Sequence, residues 1–155
     1  MHNLISLSLA LFLITACSPS APQSNSNTTK TIIVTDQAPA AVGVYSQGVR
    51  VGNTIYVSGQ LGLDPQTGEM AGDDLETQVR QAIYNIEAIV SAEEYGLEDV
   101  VSVDVFLDDL DNYSEFNNIY IDYFTQDFPA RMVLEAARIP LDAKIEIKVM
   151  AAKST

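Results

Sequence analysis

The chain has 155 residues, of which 21 are acidic and 8 are basic, and its formal net charge is −13. Its length suits one folded domain, and a hydrophobic content of 47% is enough for a buried core. The charge argues against nucleic acid as a partner, because phosphate backbones require clustered lysine and arginine.

The N-terminal segment resembles an export signal. An apolar run over 4–14 ends in Thr15-Ala16-Cys17, and it is too short to span a bilayer as a mature helix. Small residues before a cysteine are typical of bacterial lipoprotein signals, although the first three residues contain no lysine or arginine. We predict a signal peptide over 1–17 with lipidation at Cys17, so that the protein is exported and lipid-anchored to the cell envelope. The alternative is an ordinary secretory signal cleaved elsewhere.

Residues 18–30 are mostly Ser, Pro, Asn, Thr and Gln, which is typical of a flexible tether, and the folded domain is expected over 31–153. Cys17 is the only cysteine and His2 the only histidine, so the processed domain would contain neither. This excludes Cys–His and Ser–His–Asp nucleophilic sites and His/Cys zinc sites. We therefore expect no metal and no cofactor, and chemistry carried by Arg, Glu, Asp, Tyr, Ser, Asn and the backbone.

The first half of the domain predicts three strands and a helix. The strands are expected over 31–34, 44–51 and 54–61, with Gly52-Asn53 as a tight turn between the last two. From Asp74 onward, apolar residues recur at intervals of three and four, which indicates an amphipathic helix. Asp73 or Asp74 is expected to cap this helix, and Gly96 is expected to end it.

The second half predicts a strand over 100–107, a helix over 112–124, and strands over 132–137 and 144–152. In the first of these strands, Val101 and Val103 are expected to share one face. The complete order predicts an α+β domain: a mostly antiparallel six-stranded sheet with two helices on one face. The strand over 132–137 is apolar on both faces, so the sheet face without helices is expected to contact another subunit.

Three groups of residues carry a family resemblance: Ala38-Pro39 with Gly43-Val44-Tyr45-Ser46-Gln47-Gly48; Val57-Ser58-Gly59-Gln60; and Phe128-Pro129-Ala130-Arg131 with Lys144-Ile145-Glu146-Ile147. Together and in this order, they resemble the RidA (YjgF-type) family of reactive-intermediate enamine and imine deaminases. The resemblance covers roughly residues 31–153. It implies a chorismate-mutase-like fold and a homotrimer with three sites in the clefts between subunits.

The resemblance also implies roles for two residues. Arg131 matches the arginine that binds the substrate carboxylate, which suits the planar fork of a guanidinium. Glu146 matches the glutamate that directs a water molecule onto the imine carbon. The alternatives are a surface ion pair for Arg131 and a cross-strand salt bridge for Glu146.

Tyr45, Ser58 and Asn117 match positions that line the family's substrate cleft. Tyr120 and Phe124 are expected to belong to the core instead. The chain departs from the family pattern where Val133 replaces a frequent cysteine and Val44 a frequent proline. The first change removes a thiol but no essential step, since water is the expected nucleophile.

The resemblance thus implies hydrolysis of small 2-imino acids to 2-keto acids and ammonia. The alternative is a non-catalytic trimeric module at the membrane surface that binds small carboxylates or acts as a chaperone. The presence of both Arg131 and Glu146 favours the enzyme, because a binder needs only the first.

Overall fold

A computed structural model describes residues 29–154 of the chain. The predicted signal peptide with Cys17, and the tether before residue 29, lie outside the described residues. Within residues 29–154, no helix is both long enough and apolar enough to cross a membrane.

The described residues form one six-stranded sheet and two α-helices. The elements are β1 (Lys30–Ile33), β2 (Gly48–Val51), β3 (Thr54–Val57), α1 (Leu75–Ser91), β4 (Val100–Leu107), α2 (Tyr113–Tyr120), β5 (Ala130–Glu135) and β6 (Ile145–Ala152). The strand order is β1-β2-β3-β6-β4-β5, and every neighbouring pair is antiparallel except β4 and β5. This confirms the predicted α+β fold with its mostly antiparallel sheet.

The core lies between the sheet and the helices. In β6, Ile145, Ile147 and Val149 are buried while the residues between them are not, as expected for a strand that covers a core with one face. The apolar positions of α1 pack on this face, and the carboxylate of Asp74 caps the helix by accepting the Thr77 N–H at 2.8 Å. This hydrogen bond lowers the pKa of Asp74.

The strand predicted over 44–51 begins only at Gly48, because a loop occupies the residues before it. The buried side chain of Gln47 holds this loop in place. Its oxygen accepts the Thr35 N–H at 2.8 Å, and its nitrogen donates to the carbonyls of Thr35, Ala38 and Pro39 at 2.9, 3.1 and 2.9 Å. Backbone groups of the loop thus bond to one side chain instead of a neighbouring strand.

The prediction that Gly96 ends the first helix is wrong. Helix α1 ends at Ser91, and the chain then turns through Glu94, whose φ is 63°. Gly96 instead precedes a short 3₁₀ helix over Leu97–Asp99. Gly96 was the expected residue because glycine adopts a positive φ most easily, but Glu94 adopts that conformation here.

The expected position of Val101 is also wrong. A register irregularity between Val100 and Ser102 inserts one extra residue into β4 opposite β6. Val100 is therefore buried, whereas Val101 is 46% exposed and does not share the face of Val103. A β-bulge resets the alternation of faces, which strict period-two reasoning does not anticipate.

The face of the sheet that points away from the helices is uncovered in the isolated chain, and it carries exposed apolar side chains among charged ones. Register places Met132 of β5 beside Asp104 of β4, and Leu134 beside Phe106. Met132 and Leu134 are both exposed. This matches the expectation of a strand that is apolar on both faces, and the oligomer inferred from it stays a prediction.

Candidate functional site

Arg131 lies on β5, the edge strand of the sheet. Its register partner is Val103 of β4, a buried residue on the helix-covered face. The side chain of Arg131 therefore leaves the sheet toward α2. Because no further strand lies beyond β5, Arg131 stays partly exposed.

Three aromatic rings of helix α2 lie close to this guanidinium. The Cζ atom of Arg131 lies 5.8, 5.4 and 4.7 Å from the ring centroids of Tyr113, Phe116 and Tyr120. A cation over an aromatic face is attracted by the ring quadrupole, more strongly where water is excluded. These rings hold the charged group in place without neutralising it.

One nitrogen of the guanidinium is also fixed by hydrogen bonds. Nη2 of Arg131 donates to Oδ1 of Asn117 at 2.7 Å and to the Tyr113 hydroxyl at 3.3 Å. Hydrogen bonding with Asn117 and the charge of Arg131 lower the pKa of Tyr113. Nε and Nη1 have no hydrogen-bond partner within residues 29–154, so they remain available for a ligand.

Arg131 is also the only described arginine without a carboxylate partner. The other three form ion pairs at 3.1 Å or less: Arg50 with Glu93, Arg80 with Glu76 and Asp122, and Arg138 with Asp142. The chain carries 21 acidic residues, yet none of the described ones forms an ion pair with Arg131. The surface ion pair considered for Arg131 is therefore not formed among the described residues.

Two open cavities flank this guanidinium. One, of about 460 Å³, is lined by Leu110, Tyr113, Arg131 and Val133. The other, of about 410 Å³, is lined by Asn117, Tyr120, Ile121, Phe128, Pro129 and Arg131. Both volumes fall in the range of small-molecule pockets, and each combines apolar walls with one cationic group.

Glu146 occupies a different part of the molecule. It lies on β6 opposite Phe106 of β4, on the face that the helices do not cover. Its carboxylate contacts the backbone of Gly59 so closely that any side chain at that position would collide with it. Burial raises the pKa of Glu146, and no described residue forms a hydrogen bond or ion pair with it. The cross-strand salt bridge is therefore absent from the described residues, and the carboxylate is a stronger base than usual.

Ser58 directly precedes Gly59, and it contacts the loop that carries Tyr45. The Ser58 hydroxyl donates to the Ser46 carbonyl at 2.6 Å, so it bonds to neighbouring backbone. Tyr45, in the same loop as Ser46, is 52% exposed in the isolated chain. Ser58 therefore anchors the loop that carries Tyr45.

The structure places four of the five predicted site residues in two groups. Arg131 and Asn117 meet on the helix-covered side of the sheet, whereas Glu146 lies on the opposite face against Gly59, which follows Ser58. Tyr45 is connected to the second group only through its loop, to which Ser58 bonds. The sheet separates the two groups. A single chain does not bring Arg131 and Glu146 together.

Sequence reasoning did not assign Tyr113 and Leu110 to the site. A signal for Tyr113 was present, because Tyr113, Phe116, Asn117 and Tyr120 are spaced as one face of a helix. Tyr120 and Phe124 are buried as predicted, but Tyr120 also lies beneath the guanidinium. Within residues 29–154, no three His, Cys, Asp or Glu side chains cluster in a way that would hold a metal ion.

Comparison with known proteins supports this description of the fold. The endoribonuclease L-PSP family model matches residues 35–153. A RutC family protein of Sulfurisphaera tokodaii is 46% identical over 121 residues, covering 78% of this chain and 97% of the relative. The 2-iminobutanoate/2-iminopropanoate deaminase of Escherichia coli K12 is 44% identical over 124 residues, covering 78% of this chain and 96% of the relative.

Among solved structures, E. coli TdcF with bound serine superposes with a TM-score of 0.77 at 37% identity. The match covers 80% of this chain and 99% of TdcF. The family model spans most of the chain, and the curated relatives are matched over nearly their whole length. The chain therefore belongs to the endoribonuclease L-PSP family, which includes the RutC proteins and the 2-iminobutanoate/2-iminopropanoate deaminases.

Proposed function

We propose that this protein hydrolyses small 2-imino acids to 2-keto acids and ammonia. The observation that carries the proposal is the guanidinium of Arg131, which has no carboxylate partner among the described residues and is held by the aromatic rings of α2 and by Asn117. Its Nε and Nη1 donors have no partner among the described residues, and each can donate a charge-assisted hydrogen bond to a carboxylate. The relatives named 2-iminobutanoate/2-iminopropanoate deaminase support this substrate class.

Glu146 supplies the second requirement of the reaction. Hydrolysis begins when water attacks C2 of the imine, and a base must remove a proton from that water. The Glu146 carboxylate has no competing hydrogen bond among the described residues, and its burial makes it a better proton acceptor. That proton passes to the imine nitrogen as the carbinolamine forms. The proton of the carbinolamine hydroxyl is then transferred to the same nitrogen, the C–N bond breaks, and ammonia leaves as the ketone forms.

We further propose that each site is shared between two subunits of a homotrimer. Arg131 and Glu146 lie on opposite faces of the sheet, so one chain cannot direct both at one small substrate. The uncovered face, which carries Glu146 and the exposed side chains of Met132 and Leu134, is suited to burial against a second copy. A second copy packed there would place its own edge strand β5, which carries Arg131, beside Glu146.

The deaminase proposal is tested with imino acid generated in situ by an amino-acid oxidase and trapped with semicarbazide. The wild-type protein is expected to reduce the trapped imine, and Arg131→Ala is expected to abolish the effect. Arg138→Ala is the matched control, since it removes an exposed arginine paired with Asp142 at 3.1 Å. Wild-type protein that leaves the trapping rate unchanged across several side chains would refute the proposal.

A binding module is the second candidate. It is favoured by one observation: a single chain contains the complete carboxylate anchor but not the glutamate beside it. Glu146→Gln distinguishes a binder from an enzyme. If the protein is a pure binder, this variant would bind 2-oxobutanoate as tightly as the wild type, and neither protein would hydrolyse imine. An enzyme would lose turnover in this variant and keep binding.

Nuclease activity, which the family name evokes, receives no support from the charges. Three of the four lysines and three of the four arginines form ion pairs with carboxylates. The described residues therefore offer no cluster of free cations for a phosphate backbone.

Export with a lipid anchor at Cys17 is a separate proposal that rests on the sequence alone. It implies that the imine arises outside the cytosol, for example from an exported amino-acid oxidase or dehydrogenase. Fractionation of cells expressing the full chain and Cys17→Ser tests it. The wild type is expected in the membrane fraction and the variant is not, whereas finding both in the cytosol would contradict it.

A further inference from the structure

Gly59 follows strand β3 and lies against the carboxylate of Glu146. The described glycines with a positive φ are Gly52 and Gly68, so the backbone conformation at Gly59 does not itself require glycine. Glycine also loses more conformational freedom on folding than any other residue. Its presence at this position therefore needs another explanation.

The space around Gly59 provides that explanation. A Cβ atom at this position would have three atoms of Glu146 as its nearest neighbours: Cγ at 3.0 Å, Cδ at 2.7 Å and Oε1 closer still. At Gly62, by contrast, a Cβ atom would lie 2.5 Å from Cα of Gln78 and 2.7 Å from its carbonyl oxygen, so that glycine admits the backbone of helix α1. Gly59 instead leaves room for a single side chain, and that side chain is Glu146.

The backbone on both sides of Gly59 is held by hydrogen bonds. The N–H of Ser58 donates to a carbonyl of the preceding loop at 3.0 Å. Gln60 and Ile147 exchange two backbone hydrogen bonds of 2.8 and 3.0 Å, and Ile147 directly follows Glu146 in strand β6. Neither backbone can retreat without breaking these bonds. A methyl group added at Gly59 would therefore displace the side chain of Glu146.

The carboxylate of Glu146 forms no hydrogen bond or ion pair with any described residue, so its contact with Gly59 defines its place within the chain. We propose that Gly59 is a positioning residue, whose missing side chain leaves the space from which the Glu146 carboxylate directs water onto the imine carbon. This inference rests on the proposed function. Because a base must lie within hydrogen-bond reach of the water, displacing it affects the chemical step more than substrate binding.

The first test compares Gly59→Ala with wild-type protein in the full chain by the imine assay. The variant is expected to lower kcat about 100-fold with KM nearly unchanged, because a displacement of about 1 Å is enough for such a loss. Calorimetry is expected to show unchanged affinity for 2-oxobutanoate. Gly72→Ala is the matched control, since its Cβ atom would also collide with a side chain, 2.8 Å from Cγ2 of Thr77, and its kcat is expected to equal that of the wild type.

The second test asks whether Gly59 and Glu146 share one space. Adding Gly59→Ala to Glu146→Gln is expected to reduce kcat no further, because the positioned carboxylate is already absent. In a Glu146→Ala background the space is empty. There, Gly59→Ala is expected to keep or raise the melting temperature, since alanine loses less backbone freedom on folding than glycine.

Three results would overturn the inference. An unchanged kcat in Gly59→Ala would show that the carboxylate does not need this space. A loss of affinity for 2-oxobutanoate as large as the loss of kcat would show that the methyl group obstructs the ligand instead of Glu146. A lower melting temperature from Gly59→Ala in the Glu146→Ala background would show that Gly59 serves the fold.

Failure of the proposed function is distinct from failure of this inference. Wild-type protein would then not hydrolyse imine. The melting temperatures would still show whether Gly59 makes room for Glu146, because they do not depend on turnover.

Discussion

The separation of Arg131 and Glu146 by the sheet makes a quantitative prediction about mixed oligomers. Arg131→Ala and Glu146→Gln are each expected to be inactive alone. If every site takes its arginine from one chain and its glutamate from the neighbour, a mixed oligomer contains some sites with both native residues. In a cyclic assembly formed at random, the fraction of such sites equals the product of the two chain fractions, which is about one quarter at equal amounts.

The experiment unfolds the two variants together in denaturant, refolds them at several ratios and measures imine hydrolysis. Activity is expected to peak at equal amounts, near a quarter of that of wild-type protein refolded in the same way. Mixing folded oligomers without denaturant should restore little, since chains must exchange. No recovery at any ratio would show that both residues act from one chain, and the reasoning from the sheet faces would be wrong.

Three further predictions concern single variants. Arg131→Lys keeps the charge but loses the planar guanidinium and its several fixed donors, so kcat/KM for imine is expected to fall by about 10- to 150-fold, equivalent to about 1.5–3 kcal/mol; equal activity would show that a point charge suffices and would refute the proposed role of the guanidinium. Gln47→Ala removes the partner of four backbone groups, one buried and three partly buried, and urea unfolding is expected to show a loss of about 2–4 kcal/mol. Glu146→Gln is expected to raise stability at neutral pH. Burial raises the folded pKa of Glu146 above the unfolded value, so wild-type stability falls as pH rises between the two, and the gain should vanish in acid below both. A gain that is independent of pH would contradict this origin.

Periodicity alone located the elements of the domain. Apolar spacing identified α1 and β6 because each covers the core with one face, and a buried face leaves a regular pattern in the sequence. It failed where local geometry interrupts the pattern. The bulge before Val103 and the loop tied by Gln47 depend on hydrogen bonds to residues distant along the chain.

For the candidate site too, one part was predicted from the sequence and another part is seen only in the structure. The resemblance to the RidA family identified Arg131 and Glu146, and the absence of cysteine and histidine from residues 31–153 agrees with chemistry carried by a guanidinium and a carboxylate. The face from which each leaves the sheet is decided by strand register: Arg131 is paired with Val103, and Glu146 with Phe106. Adjacent residues of a strand point to opposite faces, so a register shift of one residue would reverse the result. The sequence by itself, through its family resemblance, singled out Arg131 and Glu146 as candidates for the chemistry, and only the tertiary structure decided that they leave the sheet on opposite faces of one chain.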